Sequence, residues 1–188
     1  MEQTIMQELE PPRFEEFGPA LITGLGERCS EATSAAIPAQ WQRFVPHIGQ
    51  ISGQTGRATY GVICNGNGDG DGNREYICGV EVSSFSNLPA EFRRLRLAKQ
   101  KYAVFAHRGH VSAIRGTWNA IWNRWAPESG ARIADVPEFE RYSEGFDPIA
   151  GVGGMEIWIP LEGQELMKWN NHQHRTWKRR GLRSAAPC

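Results

Sequence analysis

Glu156 stands inside an apolar run, Met155-Glu156-Ile157-Trp158-Ile159. A carboxylate in such a strand either faces solvent or serves a ligand. Side chains alternate along a strand, so Glu156 and Trp158 share one face while Ile157 and Ile159 take the other. If a helix covers the isoleucines, the carboxylate and the indole face away from it, toward water or into a groove. In a partly dry groove the carboxyl pKa rises, and an arriving cation favours the charged form. Aromatic faces add cation–π attraction of roughly 0.5–2 kcal/mol per contact. A second aromatic feature is the stripe Trp118, Trp122 and Trp125 at helical spacing. Core packing is the default for each of them. Three indoles on one stripe exceed a modest core's need, so one or two are expected to reach a pocket.

Other residues with chemical capacity are weaker candidates. The turn NGNGDGDGN over 65–73 puts Asn67, Asp69 and Asp71 near calcium-loop positions, but Tyr76 falls where a bidentate Glu is required. A flexible hairpin loop explains its Gly and Asn content. His107 and His110 flank Gly109 without a nearby Cys or a third ligand, which suits a polar strand end or helix start. His172 and His174 fit a solvated segment. Cys29, Cys64, Cys78 and Cys188 form no CxxC pair and read as small buried hydrophobes. Neither a metal nor a cofactor is expected. No GxSxG, P-loop or dinucleotide fingerprint occurs.

These residues must be positioned by a mixture of strands and two helices. Ile37, Trp41, Phe44 and Ile48 mark one helix face, with Pro38 in the first turn and Pro46 near the end. Ile114, Trp118, Ile121, Trp122 and Trp125 mark a longer one, stopped by Pro127 and Gly130. Strands are expected at 14–28, 59–64, 74–82, 93–109 (a strand or a bent pair), 138–144 and 155–161. Ile37, Trp41 and Phe44 each lie 77 residues before Ile114, Trp118 and Ile121. Each half therefore reads strand, helix, strand, strand, and duplication is the simplest account. The predicted class is α+β: two βαββ halves about a pseudo-two-fold, an antiparallel sheet, and two main helices enclosing a central groove.

The whole chain is 188 residues, 40% hydrophobic and 10% aromatic with seven Trp, enough for one packed domain. Zero formal net charge argues against general nucleic-acid or membrane binding. No apolar run reaches the roughly 18 residues of a membrane span. The acidic start lacks an apolar signal region, so a cytoplasmic location is expected. Residues 1–12 read as an N-terminal arm, 13–162 as the domain, and 163–188 as a basic tail. The stretch 168–183 holds six Lys+Arg, leaving 15 against 21 Asp+Glu elsewhere. A solvated extension is the ordinary reading of that tail, with macromolecular binding as the alternative.

Seven pieces in order, YGV (60–62), GVEV (79–82), YAVFAHRG (102–109), TWNAIWNRWAPESG (117–130), FERY (139–142), FD (146–147) and EIWIP (156–160), resemble the GyrI-like effector-binding family. This family includes the small-molecule-binding domains of AraC- and MerR-type multidrug regulators and stand-alone gyrase-inhibitor-like proteins. The resemblance implies an aromatic groove between the halves, with Glu156 in it to attract hydrophobic or cationic aromatic ligands. It also implies Tyr142 and Trp118 as lining residues, and more weakly Tyr60, Phe105 and Trp158. No DNA-binding motif fits before Phe14 or after Gly163. The leading function is then a binding or sensing module. An alternative is a hydrolase of strained cyclopropane-type electrophiles using Glu156 and Tyr142. A third is a gyrase-inhibitor-like interaction module, with a protein partner or homodimer left open.

Overall fold

The computed structural model describes residues 9–30, 34–65 and 74–163. Eight strands form one antiparallel sheet: β1 (Arg13–Phe17), β2 (Ala20–Cys29), β3 (Gln54–Asn65), β4 (Arg74–Val82), β5 (Arg93–Leu97), β6 (Gln100–His107), β7 (Glu138–Tyr142) and β8 (Met155–Leu161). Helix α1 (Ile37–Phe44) lies between β2 and β3, and α2 (Ile114–Ala120) between β6 and β7. Helix α2 runs on through a π-helical turn, Ile121–Trp125, into a short α3 (Ala126–Ser129). No helix of the described residues is long and apolar enough to cross a membrane.

The strand order is β1-β6-β8-β7-β3-β4-β2-β5. The expected duplication is plain in it. One half contributes β2, α1, β3 and β4; the other contributes β6, α2, β7 and β8; the halves meet at β3 and β7. The single extended stretch expected over 14–28 divides into β1 and β2, and the expected bent pair over 93–109 into β5 and β6. Each leading strand pairs with the opposite half: β1 with β6, and β5 with β2.

That exchange curls the sheet. In a flat sheet β1 and β2 would sit six strand spacings apart, about 29 Å. Yet only Gly18 and Pro19 join them, a link that spans at most about 11 Å. The same holds for β5 and β6, joined by Ala98 and Lys99. The two edges must therefore approach, and the sheet becomes a half-barrel. The packing agrees: the Phe17 ring on β1 lies 5.9 Å from Tyr60 on β3 and 5.1 Å from Phe139 on β7. Inside are Ile22, Tyr60, Val62, Ile77, Tyr102, Val104, Phe139 and Trp158, with Phe139 stacked on Trp158 at 5.3 Å.

Both helices lie on the outer face. Phe44 of α1 packs on Cys78 and Val80, joined by Ile37, Trp41 and Ile48. Ile121 and Trp125 pack on Phe105, Ile157 and Ile159, joined by Ile114, Trp118 and Trp122. Pro38 sits in the first turn of α1, where it has no bond to lose. Pro46 falls in the 3-10 turn Val45–His47 that ends it.

Candidate functional site

The rung at the seam of the two halves runs Phe105, Ile157, Glu140, Gly61, Cys78, Leu25 across six strands. The pseudo-two-fold axis passes between Gly61 and Glu140. Phe105 and Leu25 are mates about it, as are Ile157 and Cys78. The rung is apolar but for one carboxylate, and it lies on the helix side.

Glu140 is 6% exposed. Its Oε1 accepts the Trp118 indole N–H at 2.7 Å. Its Oε2 accepts two phenol hydroxyls, Tyr76 at 2.8 Å and Tyr142 at 2.9 Å. Tyr76 in turn accepts the indole N–H of Trp41 at 3.1 Å. Trp41 and Trp118 are the symmetry mates of the sequence repeat, so each helix lowers one indole onto the seam. Trp41 also packs edge-on to Tyr142 at 5.4 Å, and Phe146 tilts against Tyr142 at 5.0 Å. Burial, reinforced by the Glu140 charge, pushes the Tyr76 and Tyr142 hydroxyls well above the ordinary phenol value, so both remain donors. None of the ion pairs among the described residues involves Glu140. A carboxyl buried among neutral donors, with no cation paired to it among the described residues, is a costly place for a charge.

The expected grouping of site residues divides between two faces. Trp118 and Tyr142 meet at the seam. Glu156 and Trp158 alternate onto the concave face, as does Tyr60, and there they meet no helix. Trp158 and Tyr60 are interior core, 3% and 2% exposed. The Trp158 indole donates to Glu156 Oε2 at 3.0 Å, and the Glu156 carboxylate pairs with Arg13 and, at 3.6 Å, with Arg141. Two guanidiniums thus already face the acid that the sequence pattern singled out. Phe105 does lie on the helix side, but under the Trp125 ring at 4.8 Å. Glu140, Tyr76, Trp41 and Gly61 complete the cluster at the seam, and sequence reasoning did not place them there. A signal for the first existed: in FERY, Glu140 shares the parity of Tyr142.

The histidines take structural places. His107 ends β6, 4% exposed. His110 precedes the turn before α2, its ring accepting the Ser112 N–H. Cys64 and Cys78 occupy neighbouring strands as free thiols, Cys64 packed toward the barrel interior and Cys78 beneath α1. The glycine-rich turn beyond Asn65, the basic tail from 164 and the N-terminal arm up to 8 lie outside the described residues.

One further acid shares the helix-side parity of β7. Glu138 is 7% exposed and pairs with Arg74 at 2.8 Å. Burial pushes its carboxyl up to about 7, with Arg74 opposing and Glu140 adding to the rise. The folded chain therefore holds a proton that the unfolded chain, at an ordinary value of 4.5, has released. Stability from this group is greatest below the unfolded value and is lost as pH rises through about 7. Glu138→Gln removes that slope. Relative to wild type the variant should gain about 2–3 kcal/mol between pH 5 and pH 8. Denaturant melts at the two pH values measure this; parallel pH profiles for the two proteins would refute it.

Comparison with known proteins follows the same geometry. The described structure resembles SAV2435 bound to tetraphenylphosphonium with a TM-score of 0.67, at 21% identity over 89% of this chain and 100% of that one. It also resembles a bacterial transcription regulation protein from Staphylococcus aureus MU50, with a TM-score of 0.65, at 20% identity over 81% and 98% of the respective chains. In sequence it is 28% identical over 137 residues to the transcriptional regulator BrlR of Pseudomonas aeruginosa, covering 72% of this chain. The match takes in 50% of BrlR, so the chain spans about half the length of that relative. The profile of the GyrI-like small molecule binding domain matches residues 10–162, and with this half-barrel and its paired helices the chain belongs to that family.

Proposed function

We propose that the chain binds a lipophilic organic cation over Glu140, with Trp41, Trp118, Tyr76 and Tyr142 as the aromatic surround. The observation that carries this reading is a nine-tenths-buried carboxylate whose partners are two phenols and an indole. A delocalised cation loses little hydration on entering such a site. It gains the carboxylate's attraction in a low dielectric and the faces of several rings. An ammonium ion with a tight water shell would be a poorer guest. Trp41 and Trp118 are only part-buried, so they are the cover that a guest displaces or stacks upon. The tetraphenylphosphonium in the SAV2435 structure supports the ligand class.

Titration of tryptophan fluorescence with tetraphenylphosphonium tests the reading. Quenching is expected in wild type. Glu156→Gln should leave the affinity within about twofold, because that acid faces Arg13 and Arg141 on the other side of the sheet. No quenching in wild type, or a dependence on Glu156 in place of Glu140, would remove the proposal.

One observation favours a second reading. Tyr142 O–H donates straight to the Glu140 carboxylate, the arrangement of a proton donor with its anionic partner. A strained electrophile such as a cyclopropane could take that proton on one ring carbon as its C–C bond opens, while water adds its hydroxyl to the other carbon and gives its own proton back to Tyr142 through Glu140. Turnover of such a substrate that stops in Tyr142→Phe would favour hydrolysis over binding alone.

A further inference from the structure

Gln40 and Thr117 are the residues immediately before Trp41 and Trp118, and they are mates across the sequence repeat. Both are polar and both are buried, at 2% and 1% exposure. Neither touches Glu140. The Gln40 amide nitrogen donates to two backbone carbonyls, Leu25 on β2 at 2.8 Å and Tyr76 on β4 at 2.9 Å. Thr117 faces His107 at the end of β6. The Nε2 of His107 lies 3.0 Å from the His110 carbonyl, which can only accept, so Nε2 carries the proton. In the neutral imidazole His107 Nδ1 is then the acceptor for the Thr117 hydroxyl, whose Oγ1 lies 2.7 Å away. Each helix is thus tied to a strand by one buried polar side chain, one residue from its indole.

Apolar packing alone does not do this. It resists separation but is non-directional, and leaves a helix some freedom to roll about its axis. At ~6 Å from that axis a roll of 10° carries a side-chain atom about 1 Å. Such a shift would break the 2.7 Å bond from Trp118 to Glu140. A buried hydrogen bond with no water to replace it fixes the roll, because an off-angle leaves its groups unsatisfied.

We propose that Gln40 and Thr117 are positioning residues of the cation site: each locks the roll of its helix, so that the next residue's indole N–H points at the polar cluster on the seam. The proposal rests on the cation-binding reading above for its function, and on hydrogen-bond geometry for its mechanism. The two locks differ in kind. On α1 one amide bridges two strands through their backbones. On α2 a hydroxyl meets an imidazole side chain, so this lock can be removed without disturbing a strand.

Thr117→Val keeps the side chain's shape and removes the hydroxyl. The readouts are the Trp118 indole N–H resonance, assigned with Trp118→Phe, and tetraphenylphosphonium affinity. In Thr117→Val the resonance should move upfield, toward that of an indole without a charged acceptor, and affinity should fall about tenfold. Thr117→Ser, which restores the hydroxyl, should return both. Should Thr117→Val fail to give a folded far-ultraviolet spectrum, Gln40→Met read at the Trp41 resonance makes the same test on α1. An unmoved resonance overturns the proposal. So does a moved resonance with wild-type affinity. If wild type binds no tetraphenylphosphonium while the resonance still moves with the hydroxyl, the cation reading fails and the locking of the indole stands.

Discussion

Glu140→Gln should weaken tetraphenylphosphonium binding roughly 300-fold, about 3.4 kcal/mol. The substitution preserves length and volume, so the rings around it stay packed. Trp118 can still donate to the amide oxygen. What disappears is the charge, together with one of the two acceptor oxygens. At a separation of about 4–5 Å and an effective dielectric of about 20, a unit charge attracts a cation by about 3–4 kcal/mol. The aromatic surround remains and retains a residual affinity. Tyr76 and Tyr142 lose their shared acceptor while the buried carboxylate is also removed, so the two effects oppose, and Glu140→Gln should stay within about 1–2 kcal/mol of wild type in urea and remain folded. That pairing separates loss of function from loss of fold. An affinity within threefold of wild type would refute the assignment of Glu140.

Gly61→Ala should cost about 4 kcal/mol of stability and abolish the site with it. Gly61 opposes Glu140 across the seam and Cys78 on the other side. A methyl group built there would overlap the Tyr76 hydroxyl and come within 2.8 Å of Glu140 Oε2. The hydroxyl occupies the space the missing side chain leaves, and it is there that it reaches both Trp41 and Glu140. The buried Tyr76 ring has no solvent to turn into. Overpacking of a closed core ordinarily costs about 1–3 kcal/mol. Ejecting the hydroxyl would add the penalty of polar groups left without partners. Urea denaturation measures the loss, and a destabilisation below about 1 kcal/mol would show that the rung relaxes more easily than its packing indicates.

Much of this architecture was legible in the residues. Helical periodicity located α1 and α2, and the repeat from Trp41 to Trp118 announced the duplication. The alternation of Glu156, Trp158, Ile157 and Ile159 correctly divided β8 between its two faces. Which face closes into the barrel interior was not legible. Strand parity shows which residues share a side; it does not show which side closes on itself. That depends on β1 pairing with β6 and β5 with β2, contacts between residues some 80 positions apart that leave no local trace. Once the barrel interior is full of rings, Glu156 is left at its rim beside Arg13 and Arg141, and the seam acid is the one under the helices. Tyr142 and Trp118 were singled out in the sequence and both hydrogen-bond Glu140, but Glu140 itself reads, in FERY, as one ordinary charge among others. Gly61 is more hidden still, since its role is to leave room for a side chain from the next strand.

The exchanged edge strands also bear on descent. A lone ancestral half, carrying the equivalents of β1 to β4 and α1, would present an arm with no strand of its own to lie against. Two copies would satisfy each other by trading arms, as β1 and β5 do between the halves of this chain. Fusing the two genes removes the need for identical subunits. The dyad can then carry glycine on one side and glutamate on the other, one charge in place of two that would repel. The seam thus departs from strict two-fold symmetry at its centre, where Glu140 of one half stands opposite Gly61 of the other.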